Sequence, residues 1–562
     1  AGGSTHAYLW PPTQRAIHPS ARQAATGLFA KTHRIQWVFF EGEMALEQPE
    51  RELTALTPDR PDPEVGRTAD DVKLFRDAAP APGPLSPMVE GGVPIPRGRL
   101  TDPRHIRLFV GGRESVVEGK PLAFWPDGSI KWLLLIFPLE GGTAEGSGTA
   151  DEIVFRVTRR RGPDVPCRLL AGPDVRNGAE PTAVAVAERA DGTIALNTGA
   201  LLLEVGPGQR WMRRLQVGGQ DILATAATPQ SFVDFLRPGP DGYRSGTSHP
   251  AGTPDPGPVE ITDLRVEKRG MKTVVRLEGM GQSSEPSRVI IRLETWAGRP
   301  FIRLFHSVEF LHEDPRRALV RRMGLQFALA DGASGGQVVA GGQRGPITLS
   351  GKTAAGLSQV SHLSYRAWQL DAGKRWPETV EAETRSRGWF GVSGAAAGLS
   401  VIQRDMWQEF PKELRYDHDV RTLTVGHWPD SAPLMDCRRY SNYPHQAQGE
   451  SVRANQRWVL DTYYPNDPFK GVSKTHETIL FAHPPSTPLA SLDAVAADFQ
   501  SRPLVVADWD HYAATGVTMP LAAAADTPFN ANMLRVADWW LYHQRAWGWY
   551  GMWDYGDVGH RF

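Results

Sequence analysis

The sequence predicts a mainly β chain that becomes α-helical towards its end, and three observations predict it. In stretches such as 288–298 and 300–312 apolar side chains recur at every second position, the period of a strand with one buried face. The chain carries 57 Gly and 46 Pro, which break helices and suit many turns. Beyond Ala482 the apolar spacing changes from the strand period to the helical one.

Taken in order, residues 1–84 are a mixed extension. ATGLFAKTHRIQWVFF offers a strand at Ile35–Phe40, and TPDRPDPEVGRTADD is a polar, Pro-rich loop or linker. Residues 85–189 form a first β domain. HIRLFVGG is a strand ending in a turn, and PLAFWPDGSIKWLLLIF is two strands joined by Pro-Asp-Gly-Ser. The unbroken run Leu133–Phe137 marks a strand buried on both faces.

Residues 190–485 read as a large β-sandwich. Val289, Ile291 and Leu293 share one face of a strand, and Ile302, Leu304, His306, Val308 and Phe310 share a face of the next. Residues 486–562 turn helical. STPLASLDAVAADFQSRP opens with a Ser/Thr cap and Pro488 at the first helical position, and Pro503 ends it. A second helix runs through TPFNANMLRVADWWLYHQRAW, with Met533, Val536, Ala537, Trp540 and Gln544 on one side.

Composition excludes several classes. A length of 562 residues implies several domains at about 150 residues each. A net charge of −1 gives no electrostatic footprint for nucleic acid or an anionic membrane. No apolar run approaches the roughly 20 residues that span a bilayer. The two cysteines, Cys167 and Cys437, stand in no metal-binding spacing; they read as buried thiols or as one disulfide. P-loop, HExxH, EF-hand and GxSxG motifs are absent from the sequence. GGQRGP at 341–346 lacks the strand–helix setting of a phosphate loop and reads as a hairpin.

Three stretches concentrate chemistry. WGWYGMWDYGDVGHRF sets Trp549, Trp553 and Tyr555 beside Asp554, Asp557, His560 and Arg561. Aromatic rings stack on sugar faces while flanking polar groups bond hydroxyls and carboxylates. The competing reading is helix core, stronger for Trp539 and Trp540 than for Trp549 and Trp553. DCRRYSNYPHQAQGES gathers Arg438, Arg439, Tyr440, Tyr443 and His445, a set suited to gripping a carboxylate and moving protons, or simply a solvated loop. GVSKTHETILFAH places His476 in a strand, where a hydrogen-bonded structural role is the commoner one; the same holds for His306. Asp405, Glu409 and His418 stand near Trp407.

EGGVPIPRGRL, PLAFWPDGSIKWLLLIF and NTGALLLEV resemble the N-terminal RIFT-barrel domain of exo-acting rhamnogalacturonan lyases and YetA-like proteins. RDMWQEFPKEL and GVSKTHETILF resemble that family's central β-sandwich, and the aromatic tail resembles an early segment of its α/α toroid. The resemblance spans roughly 85–562. It implies a RIFT-type barrel over 85–189, a sandwich over 190–485, and over 486–562 the first helices of a toroid. A toroid of about six helical hairpins needs on the order of 300 residues, so the expectation is that a companion polypeptide carries the rest.

The resemblance also implies β-elimination in an acidic, uronate-containing polysaccharide or oligosaccharide such as rhamnogalacturonan, by an exo-acting, secreted enzyme. Such chemistry needs a group to neutralise the uronate carboxylate, a base for the C5 proton and an acid for the leaving oxygen. Arg439 and Arg561 are candidates for the first, and Tyr443, His445, Tyr555 and His560 for proton transfer. Trp549 and Trp553 are candidates for ring stacking, and Asp557 for binding. No cofactor is expected; calcium is compatible with so β-rich a chain, but no ligand spacing demands it. Two other readings stay open. One is a glycoside hydrolase using Asp554 and Asp557. The other is a non-catalytic carbohydrate-binding or assembly protein.

Overall fold

The computed structural model describes residues 5–9, 33–37, 88–139, 152–158, 164–238 apart from 179 and 227, 252–312, 319–435, 470–517 and 527–553. The chain divides into two units. One comprises Ala1–Asp77, Pro444–Val452 and Leu521–Phe562; the other comprises Ala78–Tyr443 and Arg453–Pro520. In the smaller unit, strands Thr5–Leu9 and His33–Trp37 pair antiparallel.

The larger unit begins with a barrel-like β domain. Strands Met88–Pro94, Ile130–Pro138 and Glu118–Phe124 form one sheet, with Ile130–Pro138 in the centre. The turn between the last two is fixed by Asp127, whose carboxylate accepts from the backbone and hydroxyl of Ser129. Ile106–Val110, Arg113–Ser115, Glu152–Thr158 and Val165–Ala171 belong to a second sheet. The run through Leu133, Leu135 and Phe137 is buried in the domain core, while Leu134 and Ile136 pack into the next core, as a strand buried on both faces requires. Cys167 is a buried free thiol, and burial pushes its pKa up to about 12.

A five-stranded sheet from Ala185–Glu188 to Gln220–Asp221 leads into a sandwich of two antiparallel sheets, one of eight strands and one of nine. Strands Ser287–Trp296 and Phe301–Phe310 keep the expected alternation, with Val289, Ile291, Leu293, Ile302, Leu304, His306 and Val308 all inaccessible. Residues 342–345 are the loop of a hairpin, closed by Gly342 donating to the Gly345 carbonyl.

Among the described residues three helices follow in sequence: α1 (Leu489–Ser501) and α2 (Trp509–Thr515) in the larger unit, and α3 (Pro528–Trp547) in the smaller. Helix α1 starts later than the sequence suggests. Pro488 occupies the cap position without a side-chain cap, and the Thr487 hydroxyl donates backwards to the Pro484 carbonyl. Proline 503 still ends it, after Arg502 turns left-handed at φ 47°. Thr527 caps α3 through the Asn530 amide, as its residue type favours. Between α1 and α2 lies a strand that the periodicity did not announce. Leu504–Ala507 pairs with Glu152–Thr158 and becomes the edge of the barrel's second sheet. These three helices do not by themselves make a toroid.

Helix α1 is held on the sandwich by Asp493. Its carboxylate accepts from Trp389 Nε1 at 2.9 Å and pairs with Arg387. Leu492 and Ala496 of α1 join Trp389, Ile402 and Phe481 in one apolar cluster. Among the described residues no helix is long and apolar enough to cross a membrane.

Candidate functional site

Where the barrel, the sandwich and the end of α1 meet, the larger unit opens into a cleft of about 410 Å³. That lies within the range of small-ligand sites, about 300–1,000 Å³. The barrel contributes Met88 and Glu90; the sandwich contributes Trp296, Phe301, Arg303, Arg404, Glu477 and Ile479; the helix end contributes Phe499 and Arg502.

Strand alternation puts these groups there. On Phe301–Phe310 the even-numbered side chains point into the sandwich, which turns Arg303 to the opposite face. On Ser473–His483 His476 and Thr478 point inward, and Glu477 turns to the cleft. Arg303 sits opposite Ile479, so Glu477 is its diagonal neighbour and within reach. The Arg303 Nε lies 2.5 Å from Glu477 Oε1.

The charges form a chain of alternating sign. Glu90 meets Lys272 at 2.5 Å, Lys272 meets Glu294 at 2.8 Å, and Glu294 meets Arg303 at 3.5 Å. Beyond Arg303, Glu477 accepts from Arg404 Nη2 at 3.1 Å and lies 2.8 Å from its Nε. Burial pulls the Arg404 guanidinium down from its ordinary pKa, and the adjacent Glu477 carboxylate works against that. Its plane lies 3.8 Å from the Phe499 ring centre, a cation–π contact, and it donates to the Phe499 carbonyl. Next to it Asp405 pairs with Arg502. Both residues hold left-handed backbone, φ 50° and 47°, which costs about 1–3 kcal/mol each for a non-glycine residue. Trp296 and Phe301, with ring centres 5.4 Å apart, supply the apolar wall. A cleft with aromatic faces and fixed guanidinium groups suits a sugar carrying an acidic group.

A second depression, about 460 Å³, lies along the other side of α1 and is lined by residues including Phe481, His483, Thr487 and Ser491. It shares Val495 and Asp498 with the first.

Of the residues singled out in the sequence, Arg439, Tyr443, His445, Asp554, Tyr555, Asp557, His560 and Arg561 lie outside the described residues, as does Cys437. Trp549 is buried, 5% exposed, while Trp553 is half-buried. Trp539 and Trp540 meet edge to face. His306 and His476 are buried and bonded, in keeping with structural roles. His306 Nε2 is 2.8 Å from Ser231 Oγ, and His476 Nδ1 is 2.8 Å from Lys412 Nζ. Glu409 lies between Lys412 at 3.2 Å and Lys474 at 3.0 Å. Sequence reasoning missed Arg303, Arg404, Arg502 and Trp296. The available signal was RDMWQEFPKEL and GVSKTHETILF, whose Arg404 and Glu477 meet in the cleft. Among the described residues, no cluster of three or more His, Cys, Asp or Glu has the arrangement to hold a metal ion.

Comparison with known proteins agrees with this architecture. Residues 81–145 match the PcRGLX-like N-terminal RIFT barrel domain, and residues 356–497 match the PcRGLX-like protein central beta sandwich domain. The uncharacterized protein YetA of Bacillus subtilis (strain 168) is 23% identical over 539 residues. That alignment covers 84% of this chain, and the chain spans only 57% of the length of YetA. A solved protein in glycosyl hydrolase family 38 from Enterococcus faecalis overlaps 75% of this chain and 45% of its own, at 10% identity and a TM-score of 0.35. At that score the overlap bears on neither fold nor function. In its RIFT barrel, its central sandwich and its likeness to YetA, the chain resembles the YetA-like, rhamnogalacturonan lyase-type family.

Proposed function

We propose that this protein is a carbohydrate-active lyase that cleaves a uronate-containing polysaccharide or oligosaccharide by β-elimination. The observation that carries the reading is the cleft itself. It joins the barrel strand Met88–Pro94 to the sandwich and presents Arg303, Arg404 and Arg502 beside Trp296, Phe301 and Phe499. In this reading an arginine neutralises the uronate carboxylate, making the C5 proton acidic. Arg303 and Arg502 are the more open of the three, with 30% and 43% of the side chain accessible. Arg404, 8% accessible, holds Glu477 and thereby positions Arg303. By residue type alone, Tyr443, His445, Tyr555 and His560 are the candidates for base and acid, and Trp549 and Trp553 for stacking on a sugar ring.

The proposal extends to further polypeptide that completes the helical domain, for which the greater length of YetA leaves room. It also extends to secretion, since polymeric substrates of this kind lie outside cells.

The test is incubation with rhamnogalacturonan and with polygalacturonate, following ultraviolet absorbance and reducing ends together. A lyase raises both, because each cut leaves an unsaturated uronate. New reducing ends without absorbance would replace the proposal with hydrolysis. Saturable binding without either product would replace it with a binding module.

A further inference from the structure

The interior of the sandwich contains a polar stack that the cleft does not use. His306 and His476 are directly opposed on neighbouring strands of the nine-stranded sheet. His427, from strand Thr422–Trp428 of the eight-stranded sheet, lies against both. Its ring centre is 4.3 Å from that of His476, nearly parallel at 14°, and 5.2 Å from that of His306. All three side chains are at most 1% accessible. Ser231 Oγ meets His306 Nε2, and Lys412 Nζ meets His476 Nδ1, each at 2.8 Å. The remaining ring nitrogens have no hydrogen-bond partner among the described residues: His306 Nδ1, both nitrogens of His427, and His476 Nε2.

Buried polar groups are nearly always satisfied, by protein or by ordered water. The chemistry of these four nitrogens selects the partner. Lys412 is an ammonium that only donates, so His476 Nδ1 accepts and Nε2 of the neutral ring carries the hydrogen. A neutral His427 offers one donor and one acceptor. The unmatched set therefore mixes N–H groups with a lone pair. A bare cation satisfies only lone pairs, and a simple anion satisfies only N–H groups. Water does both.

We propose that the histidine stack is a built internal hydration site, in which water held between the two sheets bridges His427 to His476 and His306. Beside the stack, Lys412 pairs with Glu409 at 3.2 Å, and the same carboxylate holds Lys474 at 3.0 Å. The site is independent of the lyase reading.

The experiment measures long-lived internal water in the intact protein by ¹⁷O magnetic relaxation dispersion, for the parent and for His427→Phe, beside their denaturation midpoints. The expected result is loss of at least one long-lived water in the variant and a lower midpoint, because the bridging water and the facing nitrogens lose their partners. An unchanged water count with a raised midpoint would overturn the proposal, since removing an unsatisfied ring from a dry core stabilises it. Stability of the parent that rises with chloride at fixed ionic strength would overturn it in favour of an anion. If His427→Phe does not fold, a high-resolution crystal structure of the parent decides. Density within about 3 Å of the His427 nitrogens supports the site, and a dry stack refutes it.

Discussion

Lys412 Nζ donates to His476 Nδ1 across 2.8 Å, joining the two sheets of the sandwich through an ammonium and a neutral imidazole. Both side chains are inaccessible to solvent. Burial pulls the lysine pKa down from 10.5 to about 8, although Glu409 works in the other direction. This interior lysine and the histidines around it make stability depend on pH at both ends of the scale.

At the alkaline end, the folded protein binds fewer protons than the unfolded chain between about pH 8 and 10.5. The Lys412 contribution to stability therefore rises with pH across that window, by up to about 1.4 kcal/mol per pH unit. Urea midpoints of the parent and of Lys412→Met, measured across this range, should diverge in the parent's favour as pH rises. Parallel curves would remove Lys412 from the account.

At the acid end, burial lowers the pKa of His306 to about 3 and those of His427 and His476 well below their ordinary 6.5. The unfolded chain takes up protons first, so the contribution is whole above pH 6.5 and is lost as pH falls. Three rings give a slope of up to about 4 kcal/mol per pH unit. Replacing one of them, as in His427→Phe, should flatten the acid limb of the stability curve by roughly a third. An unchanged limb would show that other groups govern acid unfolding.

Glu477 faces two guanidinium groups, and Arg404 behind it is only 8% accessible. Glu477→Gln leaves that buried charge without its carboxylate, a loss of about 3–5 kcal/mol. Asp127→Asn, which breaks a surface pair with Arg97, should cost the Arg97 interaction no more than about 1 kcal/mol beyond its turn bonds. Guanidinium denaturation of both variants checks the contrast. Equal effects would mean that the cleft network contributes no more than the surface pair.

A Cβ at Gly341 would come within 2.3 Å of Trp389 Nε1, the group that donates to Asp493 of α1. Gly341→Ala should therefore cost about 1–3 kcal/mol by overpacking. It should also loosen the helix, seen as faster hydrogen exchange of α1 amides. Exchange that quickens everywhere except α1 would contradict the anchor.

Much of this was legible where local pattern decides structure. The Pro-Asp-Gly-Ser turn, the alternation through Val289–Leu293 and the Pro503 stop all act within a few residues. The cleft was not legible for a physical reason. Arg404 and Glu477 are 73 positions apart, and each alone resembles an ordinary charged residue, one just past a strand and the other within one. Only the pairing of their strands brings them together. The same holds for Leu504–Ala507, four apolar or small residues after a helix that carry no sign of a partner. His306 was readable as structural from its place on an apolar face. Nothing in its surroundings along the chain pointed to His427 as its neighbour.

The strand Leu504–Ala507 has one more consequence, for the timing of synthesis. It completes the edge of a sheet begun near residue 106, and the Arg156–Asp508 contact beside it joins residues 352 positions apart. At about 5–20 residues per second, translation delivers that strand roughly 20–70 s after its partner. During that interval Glu152–Thr158 leaves the ribosome with one open flank. A nascent barrel of this kind is the point at which a chaperone, or a strand from another chain, has time to intervene.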